Sequence, residues 1–242
     1  MKIEARIQQF ADSLDLKFND PLLLQQVFVH RSYLNEHRSF PLPHNERLEF
    51  LGDAVLELVA TEFLYLNHDN PEGELTNWRS ALVRGEMLAK IANELNLNDY
   101  LLLSKGEQRS EGKARQLILA NAFEALIGAM YLDLGYERAK EFLTTHLLRR
   151  LDEVLEQGLH IDAKSDLQEK SQEQLGSTPS YTILQSSGPD HDREFTVGVY
   201  VHDELLAEGA GKSKQKAEQS AATAALKVWE SIVERLQNKG AA

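Results

Sequence analysis

An all-α domain followed by a small α+β domain of order α-β-β-β-α is what this sequence predicts, on three observations. From Ile3 to about Leu155 the apolar residues recur at helical spacing, and the alternation typical of strands is absent. Beyond Gly158 the pattern turns to period two, with Phe195, Val197, Val199 and Val201 on one side of an extended run. At 242 residues the chain is also longer than one typical domain. The expected domains are residues 1–157 and 162–236, joined by a linker at 158–161.

Each element has a local justification. Ile3, Ile7, Phe10 and Leu14 open the chain at helical spacing. Pro21, the run Ser39-Phe40-Pro41-Leu42-Pro43, Asn70-Pro71-Glu72-Gly73, Gly106, Gly112 and Gly135 divide the rest of the first domain into helices of ordinary length. In the second domain a helix is expected over 166–175. Strands come next at 181–184 and 195–201, with Ser187-Gly188-Pro189-Asp190 as the turn between them, and a third strand over 205–209. One long Ala-rich helix, from about Ser213 to Leu236, closes the domain.

Composition narrows the function. With 42% hydrophobic and 26% charged residues the chain reads as a soluble globular protein with no membrane partner, since no uninterrupted apolar stretch marks a secretory signal or a bilayer span. The absence of cysteine excludes disulfides and Cys-ligated zinc and fits a reducing cytosol, so a cytoplasmic location is expected. A net charge of −12 argues against indiscriminate binding to polyanions, so any nucleic-acid site must be local.

The most informative dozen residues run from Asn45 to Leu56. Glu46, Glu49 and Asp53 stand at i, i+3 and i+7, within roughly 60° of one another on a helix. The rest of the circumference carries Leu48, Phe50, Leu51, Ala54, Val55 and Leu58, which predicts a helix buried against neighbours. Like charges gathered in such a place repel and are costly to desolvate, and a bound cation relieves both costs. The anomaly recurs in Leu117–Leu132, where Glu124 is the only side chain charged at neutral pH and Asn121 lies one turn before it. Oxygen donors from two helices, without Cys or paired His, suit Mg²⁺ or, as a substitute, Mn²⁺. A solvated stripe with Glu124 paired to an arginine would explain one such stretch; two in one domain favour the cation. No feature points to an organic cofactor.

Positive charge in the second domain is concentrated at Lys212, Lys214 and Lys216, although the domain holds nine basic against 13 acidic residues. These lysines stand where the last helix begins, and free N–H groups there already favour anions. A solvated charged turn is the alternative.

The stretch Asn45–Leu56 resembles the signature of the bacterial ribonuclease III family. The likeness extends to Phe28-Val29-His30-Arg31-Ser32-Tyr33, to Gly73-Glu74-Leu75-Thr76 with Arg79, to Lys105-Gly106-Glu107 and to the Ile118–Leu132 helix. Gly209-Ala210-Gly211-Lys212-Ser213-Lys214 and the Ala-rich run after it resemble the end of a double-stranded RNA-binding domain. Leu167-Gln168-Glu169, Pro179-Ser180-Tyr181 and Gly188-Pro189-Asp190-His191 resemble its beginning.

The resemblance implies an all-α endonuclease domain and a metal-dependent homodimeric enzyme. Such an enzyme cuts double-stranded RNA to 5′-phosphate and 3′-hydroxyl ends, with ribosomal RNA precursors and structured messages as substrates. It makes Glu49 and Glu124 metal ligands, Asp53 an active-site acid and Glu46 a supporting acid. Phe50 matches an aromatic that packs into a socket of the partner subunit, with a core phenylalanine as the other reading. In the second domain it places Gln168, Gln172 and His191 in successive minor grooves, and the lysines on phosphates between them.

Two departures stand out. Where the family usually has Asp, this chain has Asn121, whose carbonyl can still ligate a hard cation without adding charge. That leaves a tolerated natural variant, a deliberately inactivated one, or a paralogue that binds RNA and cuts slowly. The family also favours adjacent lysines where Lys214-Gln215-Lys216 stands, which predicts weaker RNA binding with a shallower salt dependence. Glu57, one turn further along the stripe, reads as a solvated residue, and His30 and Arg31 as structural hydrogen-bonding groups.

Overall fold

A computed structural model describes residues 3–156, 158, 162–189 and 193–240. The chain divides into two compact units, Met1–His160 and Ile161–Ala242.

The first unit is helical: α1 (Ile3–Ser13), α2 (Pro21–Val27), α3 (Arg31–Glu36), α4 (Glu46–Asn67), α5 (Glu72–Val83), α6 (Gly85–Glu94), α7 (Gly112–Leu134), α8 (Tyr136–His146) and α9 (Leu151–Glu156), with short 3₁₀ turns between. Local chemistry sets several starts. Pro21 occupies the first turn of α2, and the Asp20 carboxylate accepts from the Leu22 and Leu23 N–H groups at 2.9 and 3.4 Å. α7 is long and apolar enough to cross a membrane by length and composition. Here it is the core helix, with Phe123, Leu126, Ile127, Ala129 and Met130 fully buried in the unit's hydrophobic cluster.

α4 and α7 lie in backbone contact. A Cβ built on Gly52 would stand 1.8 Å from the Glu124 carbonyl oxygen, and one on Gly128 would stand 2.2 Å from that of Leu48. Only glycine permits this approach, which brings the signature segment of α4 against the middle of α7.

The second unit has the predicted α-β-β-β-α order with one correction. It comprises α10 (Ala163–Leu175), β1 (Ser180–Ser187), β2 (Glu194–Val201), β3 (Glu204–Gly211), α11 (Lys214–Lys227) and α12 (Trp229–Gly240). The strands form an antiparallel sheet of order β1-β2-β3, in which Tyr181 pairs with Val199 and Val199 with Ala207. α11 packs on this sheet, and Gly209 makes that possible, because a Cβ there would fall 2.0 Å from the Ala221 nitrogen.

The single long helix expected to Leu236 breaks at Val228. That residue leaves helical geometry (φ −121°, ψ 21°), and its N–H donates back to the Ala225 and Leu226 carbonyls. The break turns Trp229 into the core, where its indole N–H donates to Gln174 Oε1 at 3.1 Å. Helical periodicity on both sides of Val228 hides this in the sequence.

Candidate active site

The start of α4 is held by its N-cap. Asn45 is buried; its backbone N–H donates to the Val29 carbonyl and its side-chain amide to the Val27 carbonyl, both at 2.9 Å. Tying the helix start to the end of α2 orients the first turn, which carries Glu46 and Glu49. Asn45 opens the signature stretch in the sequence, but its tie to the Val27 carbonyl, 18 residues away, is visible only in the structure.

Glu46 sits at the rim of the stripe. The Arg31 guanidinium lies 3.3 Å from one of its oxygens and His44 Nδ1 3.7 Å from the other. Arg31 thus has a definite partner, and His30 caps α3 through Nδ1, which accepts the Ser32 N–H at 3.3 Å and lies 2.8 Å from the Ser32 hydroxyl. His30 makes the structural hydrogen bonds expected of it, whereas Arg31 forms an ion pair with an acid of the stripe. Glu57, further along, pairs with Arg79 at 2.9 Å.

Deeper in, the acids act on one another. Glu124 is pushed up to about 7, first by burial and then by the negative charges of Asp53 and Glu49. The Glu49 carboxyl is also raised, by burial first and then by Glu46 and Asp53, while a hydrogen bond from the Asn121 side chain works in the opposite direction. Glu49, Asp53, Asn121 and Glu124 therefore share one electrostatic site, contributed by two helices in backbone contact. Asp53 is the most exposed of the four.

Carboxylate and amide oxygens gathered in a partly desolvated cluster are the chemistry that a hard divalent cation takes. The donors are not a finished cage: among the described residues no three His, Asp or Glu side chains are grouped closely enough to hold an ion.

Phe50 is 81% exposed, and Ala54 and Leu58 are exposed along the same strip at four-residue spacing. This corrects the expectation that α4 is buried over its whole apolar circumference, and it removes the reading of Phe50 as a core residue. The helix buries Leu48, Val55, Leu56 and Val59 and leaves a second apolar strip to solvent. In a sequence both strips are simply apolar.

In the second unit Gln168 and Gln172 are exposed on α10, one turn apart. Lys214 and Lys216 are exposed in the first turn of α11, and Lys212 precedes it. Ser213 caps that helix, its hydroxyl accepting the Lys216 N–H at 3.2 Å. α10 and α11 are fastened by Lys164, whose Nζ lies 2.5 Å from Glu218 and 4.8 Å from the centre of the Tyr181 ring. His191 lies outside the described residues.

The chain thus pairs a helical unit whose acids come from two touching helices with an α-β-β-β-α unit that carries lysines at a helix start. Residues 20–151 match the model described as Ribonuclease-III-like and residues 163–228 that of the double-stranded RNA binding motif. The chain is 46% identical over 211 residues to Ribonuclease 3 of Enterococcus faecalis, covering 87% of this chain and 91% of that one. It is 43% identical over 227 residues to Ribonuclease 3 of Dehalococcoides mccartyi, covering 93% and 95%. A solved nuclease domain of ribonuclease III from Campylobacter jejuni, described for flexibility in a region involved in dimer formation, is 42% identical. It aligns with a TM-score of 0.52 over 57% of this chain and 94% of that one. The chain belongs to the ribonuclease III family, and it is an enzyme.

Proposed function

We propose that this ribonuclease cleaves double-stranded RNA with the help of a divalent cation, Mg²⁺ or in its place Mn²⁺, leaving 5′-phosphate and 3′-hydroxyl ends. The observation that carries the reading is the convergence of Glu49, Asp53 and Glu124 beside Asn121 across the α4–α7 contact. Glu49, Glu124 and the Asn121 carbonyl would hold the ion, which when bound polarises the scissile phosphate and activates a water. Asp53, on the exposed side of the cluster, is the acid best placed to meet solvent and substrate. Arg31 and His44 hold Glu46 at the rim and keep one more negative charge beside Glu49.

The second unit supplies the grip. Gln168 and Gln172 on α10, His191 in the strand-connecting loop, and Lys212, Lys214 and Lys216 at the start of α11 would read the shape of an A-form duplex across two minor grooves. Exposed Phe50, Ala54 and Leu58 offer an apolar strip for a second copy of the chain, in keeping with the dimer-forming region described for the Campylobacter jejuni domain. Ribosomal RNA precursors and structured messages are the substrates proposed. A cysteine-free chain fits work in the cytosol.

Asn121 favours a second reading, in which the chain holds duplex RNA and cuts it slowly. The test is cleavage of a long perfect duplex across Mg²⁺ and Mn²⁺ titrations, beside Asn121→Asp. Metal-dependent cleavage with 5′-phosphate ends by the unaltered chain supports the first reading. Binding without cleavage, with cleavage restored in Asn121→Asp, supports the second.

A further inference from the structure

We infer that Gly52 and Gly128 are positioning residues for the acidic cluster: by letting the backbones of α4 and α7 touch, they set the span between Glu49 and Asp53 on one helix and Asn121 and Glu124 on the other. The inference rests on the divalent-cation reading of that cluster. Neither glycine lies at a turn; both sit inside long helices, where glycine costs about 1 kcal/mol relative to alanine. Such residues are retained in a helix when another backbone must come close.

The contact falls at the functional residues themselves. Gly52 lies between Glu49 and Asp53 in sequence, and the group its Cβ would strike at 1.8 Å is the carbonyl oxygen of Glu124. Reciprocally, a Cβ on Gly128, one turn beyond Glu124, would stand 2.2 Å from the Leu48 carbonyl oxygen and 3.0 Å from the Gly52 nitrogen. These obstacles are backbone on both sides, so no side chain can swing away to relieve them. Restoring van der Waals separation requires the helices to part by on the order of 1 Å. Metal–oxygen distances tolerate about 0.2 Å. A packing role alone asks that the seam be filled; a positioning role asks that the span be kept.

The experiment uses the full chain without RNA and reads Mn²⁺ uptake from the free-ion electron paramagnetic resonance signal, with far-ultraviolet circular dichroism and cation-free duplex binding as controls. Gly52→Ala and Gly128→Ala are compared with Gly85→Ala, whose added methyl would meet only the Ala120 Cβ, at 3.9 Å. The expected result is at least a 10-fold loss of Mn²⁺ affinity in the first two variants. Native helicity and duplex binding persist, and Gly85→Ala matches the unaltered chain. Adding Asn121→Gln to Gly128→Ala, which lengthens one proposed ligand by a methylene, should recover part of the loss, as a purely structural defect would not.

Equal Mn²⁺ affinity in a folded Gly128→Ala variant overturns the inference while leaving the cation reading in place. If the unaltered chain takes up no Mn²⁺, both fall together. Should the alanine variants lack native helicity, the measurement is repeated in trimethylamine N-oxide, which favours the compact state. Variants that stay unfolded there assign the glycines to folding alone and also overturn the inference.

Discussion

The two units carry their functional charge in opposite ways. The nuclease unit places its acids partly out of water, where burial and mutual repulsion raise Glu49 and push Glu124 up to about 7. The RNA-binding unit leaves Lys214 and Lys216, with the neutral Gln168 and Gln172, exposed at helix surfaces. The difference fits the work proposed for each unit. Holding a divalent cation benefits from few, fixed, poorly solvated oxygens, whereas gripping a duplex depends on several solvated contacts and the release of counterions. The units nevertheless share one constructional device, a glycine that lets backbone meet backbone: Gly52 with Gly128 in the first, Gly209 beneath α11 in the second.

If that division is right, the two activities come apart by mutation, and the largest separation is expected at Glu124. Glu124→Gln should lower the single-turnover rate on a duplex by at least about 100-fold. Duplex affinity, measured by filter binding without a cation, should stay unchanged. Loss of both together would break the comparison.

Next in size is the grip. Lys214→Ala with Lys216→Ala should weaken duplex binding and flatten its salt dependence by roughly one unit of slope for each phosphate no longer neutralised. Cleavage at saturating RNA should be preserved. A steeper or unchanged slope would show that phosphates are held elsewhere.

The pH dependence of stability sharpens the comparison further. The folded, cation-free chain holds a proton on Glu124 up to about pH 7, against a usual value of 4.5. Because the folded value is raised, the contribution is fully present below about pH 4.5 and is lost as pH rises through 7. In a chelating buffer Tm should therefore fall across that window, and Glu124→Gln should reduce the fall. Mg²⁺ affinity should rise over the same range, since the ion displaces the proton. Calorimetric scans at several pH values check both.

The smallest effect expected is confined to the second unit. Asp162 caps α10, its carboxylate accepting from the Ser165 N–H at 3.3 Å, the Ser165 hydroxyl at 2.8 Å and the Gln219 amide at 2.8 Å. Asp162→Ala should cost about 1 kcal/mol of that unit's stability. Urea unfolding followed at Trp229 should report the loss, with Mn²⁺ uptake by the nuclease unit unaltered.

By itself the sequence determined what depends on local periodicity and local chemistry. The change of period near Gly158 separates the two units, the i, i+3, i+7 spacing places Glu46, Glu49 and Asp53 on one stripe, and the unusual isolation of Glu124 and Asn121 marks their helix. Only the tertiary structure decided which apolar strip of α4 is buried, that the last helix breaks at Val228 to seat Trp229, and that Arg31 and His44 flank Glu46. It also decided how closely α4 and α7 approach, and so which acids feel one another. The reason is physical. Hydrophobicity and helical spacing are properties of one segment, whereas burial, ion pairing and backbone contact belong to two segments at once and exist only when the chain has brought them together.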